Sequence, residues 1–262
     1  MPRSVITLTT DFGLADHFVG TMKGVILSIH PAARIVDLSH QVGAYGIAEA
    51  GFIVAQAYRY FPPKTVHVVV VDPGVGTARR PILVETAGQF FIGPDNGVFS
   101  MIYESEKHRV RAITAEKYFL KPVSQTFHGR DIFAPVAAHL AKGVPPARMG
   151  RRIDDYLRPI SGKPLHTARR GWSGQVLKID RFGNLITSFH IAEFPQLEER
   201  PFEMQVGFHK IRRVARSYAE GEPGEPFLIV GSSGYFEVSA NQASAAKLLG
   251  CGLGAPVELT VF

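Results

Sequence analysis

Cysteine is almost absent from this chain. Cys251 stands alone among 262 residues, so no internal disulfide can form and no thiolate cluster can hold a metal. A reducing cytoplasm is the expected compartment. Long hydrophobic runs are absent too: the longest, Val68–Val71 among them, are four residues, against the roughly 20 a membrane-crossing helix needs. The opening "MPRSVITLTTDFG" goes straight into a strand-like pattern, without the apolar core or cleavage site of a signal peptide. Ten histidines are present, but none forms HxxxH or HExxH. The pairs Asp16–His17 and Asp37–His40 lack a third ligand at useful spacing, so no metal site is expected. The net charge of +6 comes from 29 basic and 23 acidic residues. Its clusters "RMGRR", "TARRG" and "KIRRVARS" lack the interleaved aromatics of a stacking platform, and no helix-turn-helix or zinc finger is legible. They read as solvated surface, with no nucleic-acid partner expected.

What is present is an ordinary globular composition, 45% hydrophobic and 20% charged. The first half alternates periods. "SVITLTT", "RIVDLSH", "KTVHVVVVDPGVG", "PILVETAG" and "QFFIGPD" read as strands. Val19, Met22, Ile26 and Ile29 share a helix face before Pro31, as do Ile47, Val54, Tyr58 and Phe61 before Pro62 and Pro63. "RDIFAPVAAHLAKG" reads as a further helix with Gly143 as its C-terminal cap. Strand–helix alternation predicts a mostly parallel α/β sheet with helices on both faces, over residues 1–157. A proline-, glycine- and arginine-rich stretch follows, and 158–170 reads as a linker. Over 171–262 the strands are short and turn-rich, with one helix in "NQASAAKLLG". That pattern predicts a smaller antiparallel β-barrel-like domain.

In open α/β sheets, ligands sit beyond the carboxyl ends of the strands. Asp11 ends the first strand. Asp72 ends the most hydrophobic one and begins the glycine-rich "DPGVGTARR", which carries Arg79 and Arg80; His128 precedes the helix that begins near Asp131. Each has a plainer reading. Asp11 before Phe-Gly and Asp72 before Pro-Gly are common turn signals. His128 could be a satisfied buried side chain, with Arg130 and Asp131 pairing at the helix start. The glycine loop lacks both phosphate-binding and dinucleotide spacings.

Taken in order, the motifs carry more than each alone. "TTDFG…DHFVG", "VDPGVGTARRP", "GPDNG", "FHGRDIFAP", "IDRFGNLIT" and "GSSGYFEVSANQ" resemble the S-adenosyl-L-methionine hydroxide adenosyltransferases, hydrolases that release adenosine and are related to fluorinase and chlorinase. The resemblance covers essentially the whole chain. It implies a homotrimer in which the N-terminal domain of one copy and the C-terminal domain of another form each site. It implies that Asp72, Arg79 and His128 hold the attacking water. Asp11 would take the ribose hydroxyls, with Tyr45 against the sugar or base. Phe182 and Asn184 would contact the adenine or methionine end, Ser232, Ala240 and Gln242 would complete the pocket, and Asp16 and Asp180 would face the methionine amino group. No cofactor is implied beyond S-adenosyl-L-methionine as substrate.

The chemistry is coherent with that set. Displacement at the ribose C5′ of a sulfonium expels neutral methionine, so the leaving group needs no acid. The requirement is an aligned, activated water. A carboxylate, a guanidinium and an imidazole suit that task. A halide nucleophile does not fit: a carboxylate some 4 Å away would repel it by roughly 4 kcal/mol at a near-surface dielectric. Gly129 also stands where fluorinase has a halide-binding serine. Ser233 replaces the arginine that reaches the methionine carboxylate in fluorinase, which leaves the amino-acid end the least defined by resemblance. A sensor that binds adenosine or the sulfonium without turnover is the competing reading.

Overall fold

The computed structural model describes residues 4–159 and 162–262. The chain divides into two compact units, 1–159 and 160–262. In the first, β1 (Val5–Thr10) is buried along its length and leads through α1 (Phe18–Ile29) to β2 (Arg34–Ser39). The chain returns through α2 (Ile47–Ala57) to β3 (Val66–Val70) on the other side of β1. Because the two crossovers run in opposite directions, a common right-handed sense puts their helices on opposite faces. Met22 and Ile26 of α1 accordingly pack with Ile6, Leu8 and Val68, while Ala50 and Val54 of α2 pack with Val69 and Val71.

The sheet continues with β4 (Pro81–Glu85) and β5 (Phe90–Pro94), then α3 (Ser100–Ser105), β6 (Arg109–Ala112), α4 (Ala134–Ala141) and β7 (Arg152–Ile153). Its order is β2-β1-β3-β5-β4-β6-β7. The first four are mutually parallel, and β4, β6 and β7 add antiparallel pairs at the far edge. The expected long second helix ends at Ala57, followed by a 3₁₀ turn over Tyr58–Tyr60, so Phe61 is already extended ahead of the prolines. The short α3 and β6 have no periodicity long enough to be read from sequence.

In the second unit, β8 (Leu165–Ala168) pairs with β9 (Gly171–Ile179), so part of the stretch read as linker is sheet; residues 160 and 161 of that stretch lie outside the described residues. Then come β10 (Leu185–His190), β11 (Phe202–Val206), β12 (His209–Ile211), β13 (Val214–Ala215), β14 (Pro226–Val230), β15 (Tyr235–Ala240), α5 (Ala245–Leu249) and β16 (Pro256–Val261). Their order is β12-β11-β16-β9-β10-β15-β14-β13. The two ends of that path, β12 and β13, are joined by Arg212 and Arg213 alone. A sheet whose outermost strands are two residues apart must curl back on itself, which gives the barrel-like form. Its concave face buries Met204, Val206, Phe236, Val238 and Leu259.

Candidate functional site

The strand order reverses at β1 and β3, adjacent parallel strands with Thr10 opposite Val70. The residues that follow them, Asp11 and Asp72, therefore emerge side by side at the carboxyl edge, the place where such sheets bind ligands. A cavity of about 320 Å³ opens there. Asp11, Tyr45, Asp72 and His128 line it, together with Phe12, Phe18, Phe127 and Gly129. The phenylalanines were missed in the sequence reading; their only signal is adjacency to Asp11 and His128 in their motifs.

The charged groups at the cavity's floor are fastened to one another. The Asp72 side chain is 5% exposed and that of Arg79 is 9% exposed. The Arg79 Nε donates to Asp72 Oδ1 at 2.9 Å, and its Nη2 pairs closely with Oδ2 of the same carboxylate. The same Nη2 lies 2.6 Å from His128 Nδ1. A guanidinium cannot accept, so Nδ1 must be the acceptor, and the imidazole is neutral with its hydrogen on Nε2. Burial, and then the positive charge of Arg79, hold the His128 pKa below its ordinary value. The Arg79 guanidinium also stands 5.4 Å from the centre of the Phe133 ring.

Loop closure explains how residues 49 apart meet. Gly76 has φ +77°, and a Cβ there would lie 2.3 Å from the Gln125 carbonyl oxygen. Only glycine lets the Asp72–Arg80 loop lie flat on the segment that leads into His128. That segment enters a π turn, Gly129–Phe133, before α4 begins. His128 sits at the N-terminal edge of the turn, yet its side chain caps nothing. Arg130 and Asp131 do make the helix-start pair, with Arg130 Nε 2.6 Å from Asp131 Oδ1 and Ser124 N donating to Oδ2 at 2.8 Å. Arg80 likewise turns away from the cavity, reaching Asp95 at 2.8 Å and Asp155 at 2.8 Å. Of the two adjacent arginines, one builds the site and the other ties the sheet edge.

Asp11 accepts from the Tyr45 backbone N–H at 3.0 Å through Oδ2. Tyr45 holds φ +63°, a left-handed conformation uncommon for a non-glycine residue, and its ring is 72% exposed. Asp16 is exposed and is not among the cavity-lining residues.

The remaining expected residues belong to the second unit. Asp180 is committed to its own turn: Oδ1 accepts from Phe182 N and Asn184 N, both at 2.9 Å, and Oδ2 accepts from Asn184 Nδ2 at 2.8 Å. This clamp buries Asn184 and displays Phe182, which is 78% exposed. Ser232 and Gln242 are exposed and Ala240 is buried. Gln242 is also left-handed, at φ +52°. Among the described residues, no group of three His, Cys, Asp or Glu side chains could hold a metal ion, and no helix is long and apolar enough to cross a membrane.

Comparison with known proteins gives the same outline. Residues 6–150 match the SAM hydroxide adenosyltransferase N-terminal domain, and 174–258 match its C-terminal domain. An (R)-S-adenosyl-L-methionine hydrolase of Thermus thermophilus is 37% identical, across 95% of this chain and 97% of its own length. A fluorinase of Actinoplanes sp. is 26% identical over 98% of this chain and 97% of its own length. The crystal structure of an uncharacterized conserved protein from Thermotoga maritima is similar with a TM-score of 0.89 at 36% identity, covering 98% of this chain and 99% of that one.

Proposed function

The chain belongs to the SAM hydroxide adenosyltransferase family, and from that membership we propose that it hydrolyses S-adenosyl-L-methionine to adenosine and L-methionine, with water attacking the ribose C5′. The observation that carries the reading is the Asp72–Arg79–His128 cluster at the floor of the cavity, with Arg79 donating to both of its neighbours. Such a cluster handles water; a receptor for a nucleoside and a sulfonium has no use for it.

The hydrogen-bond roles divide the labour. His128 accepts at Nδ1, so it has no second lone pair to take a proton, and its Nε2–H is a donor that stabilises negative charge developing on the water oxygen. The proton acceptor is then Asp72, whose carboxylate oxygens each keep a lone pair beyond the one engaged by Arg79. Arg79 locks both partners in place, which supports alignment of the water with the C–S bond. Electrons of that bond leave with sulfur, methionine departs neutral at sulfur, and no cofactor takes part. Asp11, anchored through one oxygen, offers the other to the ribose hydroxyls, and Tyr45 lies against the sugar or base.

Phe182, Asn184, Ser232, Ala240 and Gln242 supply the adenine and methionine contacts from another copy in a homotrimer. The exposure of Phe182 and Tyr45 supports this, since large aromatic faces at a ligand site gain most when covered. Asp16 and Asp180 act on the substrate ammonium by charge. The committed hydrogen bonds of Asp180 make that action indirect. A cytoplasmic location agrees with the lone cysteine. The halide reading finds no support around Gly129, where a Cβ would come within 3.2 Å of Met22 Sδ and Phe127 Cε2, leaving a serine little room.

The deciding experiment is a chromatographic time course with S-adenosyl-L-methionine, with and without chloride, for the parent and Asp72→Asn. Adenosine and methionine from the parent alone, indifferent to chloride, are expected. A 5′-halogenated adenosine would refute the electrostatic argument. Tight binding of adenosine without turnover would make the protein a sensor instead.

A further inference from the structure

The second unit carries another cavity, of about 430 Å³, at the start of β9. Three exposed arginines, Arg169, Arg170 and Arg200, line it with Gln196 and Trp172. Three backbone excursions converge to build it. Arg169 and Arg170 form the turn between β8 and β9, Gln196 lies on the 3₁₀ turn Pro195–Glu198, and Arg200 enters β11. The frame is tied by backbone bonds: Val261 N to Arg170 O at 3.0 Å, Arg200 N to Gln196 O at 2.8 Å and Phe262 N to Pro201 O at 2.8 Å.

Its electrostatics are one-sided. No aspartate or glutamate side chain lines it. Among the described residues none of the three arginines has an ion-pair or side-chain hydrogen-bond partner. Like charges gathered around one cavity without compensation repel one another, and an anion relieves that repulsion. Trp172 adds a planar apolar wall. Its ring is held edge-on by Phe194, with centroids 5.4 Å apart at 89°, and flanked by His166 at 5.1 Å.

Within this unit the cavity lies at the end of β9 away from Asp180 and Asn184. Trp172 and Asp180 lie at opposite ends of β9, eight residues apart, or roughly 26 Å at about 3.3 Å per residue. Charge separates them as well: S-adenosyl-L-methionine is a net cation and adenosine is neutral, so neither suits three arginines.

We propose that this cavity binds a nucleoside polyphosphate, its phosphates on Arg169, Arg170 and Arg200 and its base on Trp172. Guanidinium forks match phosphate oxygens, aromatic rings take a base face without regard to its identity, and the volume falls within the usual range for small-ligand sites. The proposal goes beyond the hydrolase reading and stands or falls apart from it.

Trp172 is the chain's only tryptophan, so fluorescence of the full-length protein, excited at the red edge where adenine does not absorb, reports on this cavity alone. ATP should quench it saturably, and Arg169→Ala/Arg200→Ala should weaken the apparent affinity about tenfold or more while S-adenosyl-L-methionine turnover without ATP stays at the parent rate. Adenosine alone should leave the signal unchanged. Three results would each overturn the proposal: no saturable response to low-millimolar ATP, an unchanged response in the double variant, or inorganic phosphate matching ATP in affinity, which would leave the ring without a role. If hydrolysis fails but ATP binds as described, the cavity assignment survives the loss of the functional one.

Discussion

The two units use their polar residues in opposite ways. In the first, Asp72, Arg79 and His128 are turned on one another, half-buried, beside a cavity that phenylalanines help to line. In the second, Asp180 is turned on the backbone of its own turn and on the Asn184 amide, and the result is an exposed phenylalanine. The first arrangement fixes charges against one another, as proton transfer in the proposed reaction requires. The second fixes the shape of a turn so that an apolar face stands clear, which suits contact without chemistry. On the proposed reading, catalysis and recognition are laid out as separate tasks along the chain.

That contrast is sharpest for Asp72→Asn and His128→Ala, each expected to lower kcat by a factor on the order of 10² or more. Steady-state assays at saturating substrate check this, with circular dichroism to confirm folding; a parent-like rate in either variant would end the division of roles. Next in size is the acid side of the pH–rate profile. The His128 pKa lies below its ordinary value, so the imidazole stays neutral through the usual histidine range and gains its proton only at lower pH. Protonation removes the Nδ1 acceptor for Arg79. Turnover should therefore be flat above about pH 6.5 and fall tenfold per unit only below the depressed pKa. A limb centred above pH 6.5 would contradict the neutral assignment.

In the second unit Phe182→Ala should raise KM roughly 5- to 150-fold, the equivalent of about 1–3 kcal/mol of base stacking, with kcat changed little. A fall in kcat instead would mean that the second unit takes part in the chemistry. The smallest effect on activity is expected from Arg80→Ala. It strips the Asp95 carboxylate, 4% exposed, of its ion-pair partner and leaves it, among the described residues, the Leu157 N–H alone, lowering stability by about 1–3 kcal/mol while kcat/KM stays near the parent value. Thermal unfolding and kinetics measured on one preparation separate the two neighbouring arginines.

Much of this was legible beforehand. Strong periodicity marked α1, α2 and the buried strand ending at Asp72, because hydrophobic pattern and element type share a physical cause. The motifs named the acidic residues at strand ends, and "FHGRD" named His128. The short α3 and β6 were not readable, being too brief to show a period. Nor did 158–170 betray β8, whose side chains are all exposed and so leave no hydrophobic trace.

Composition and spacing alone exclude an internal disulfide, and they set the alternation that makes a parallel sheet, the turn-rich strands that follow, and the residue types at the strand ends. All of these depend on composition and local spacing. That Arg79 meets Asp72 while Arg80 turns to Asp95, that His128 accepts rather than donates at Nδ1, and that Asp180 is spent on its own turn appear only once the chain is folded. Those outcomes depend on which atoms meet across 49 residues of intervening chain, once a glycine at position 76 lets two backbones touch. Contact of that kind is set by loop closure, and loop closure has no period for a sequence to display.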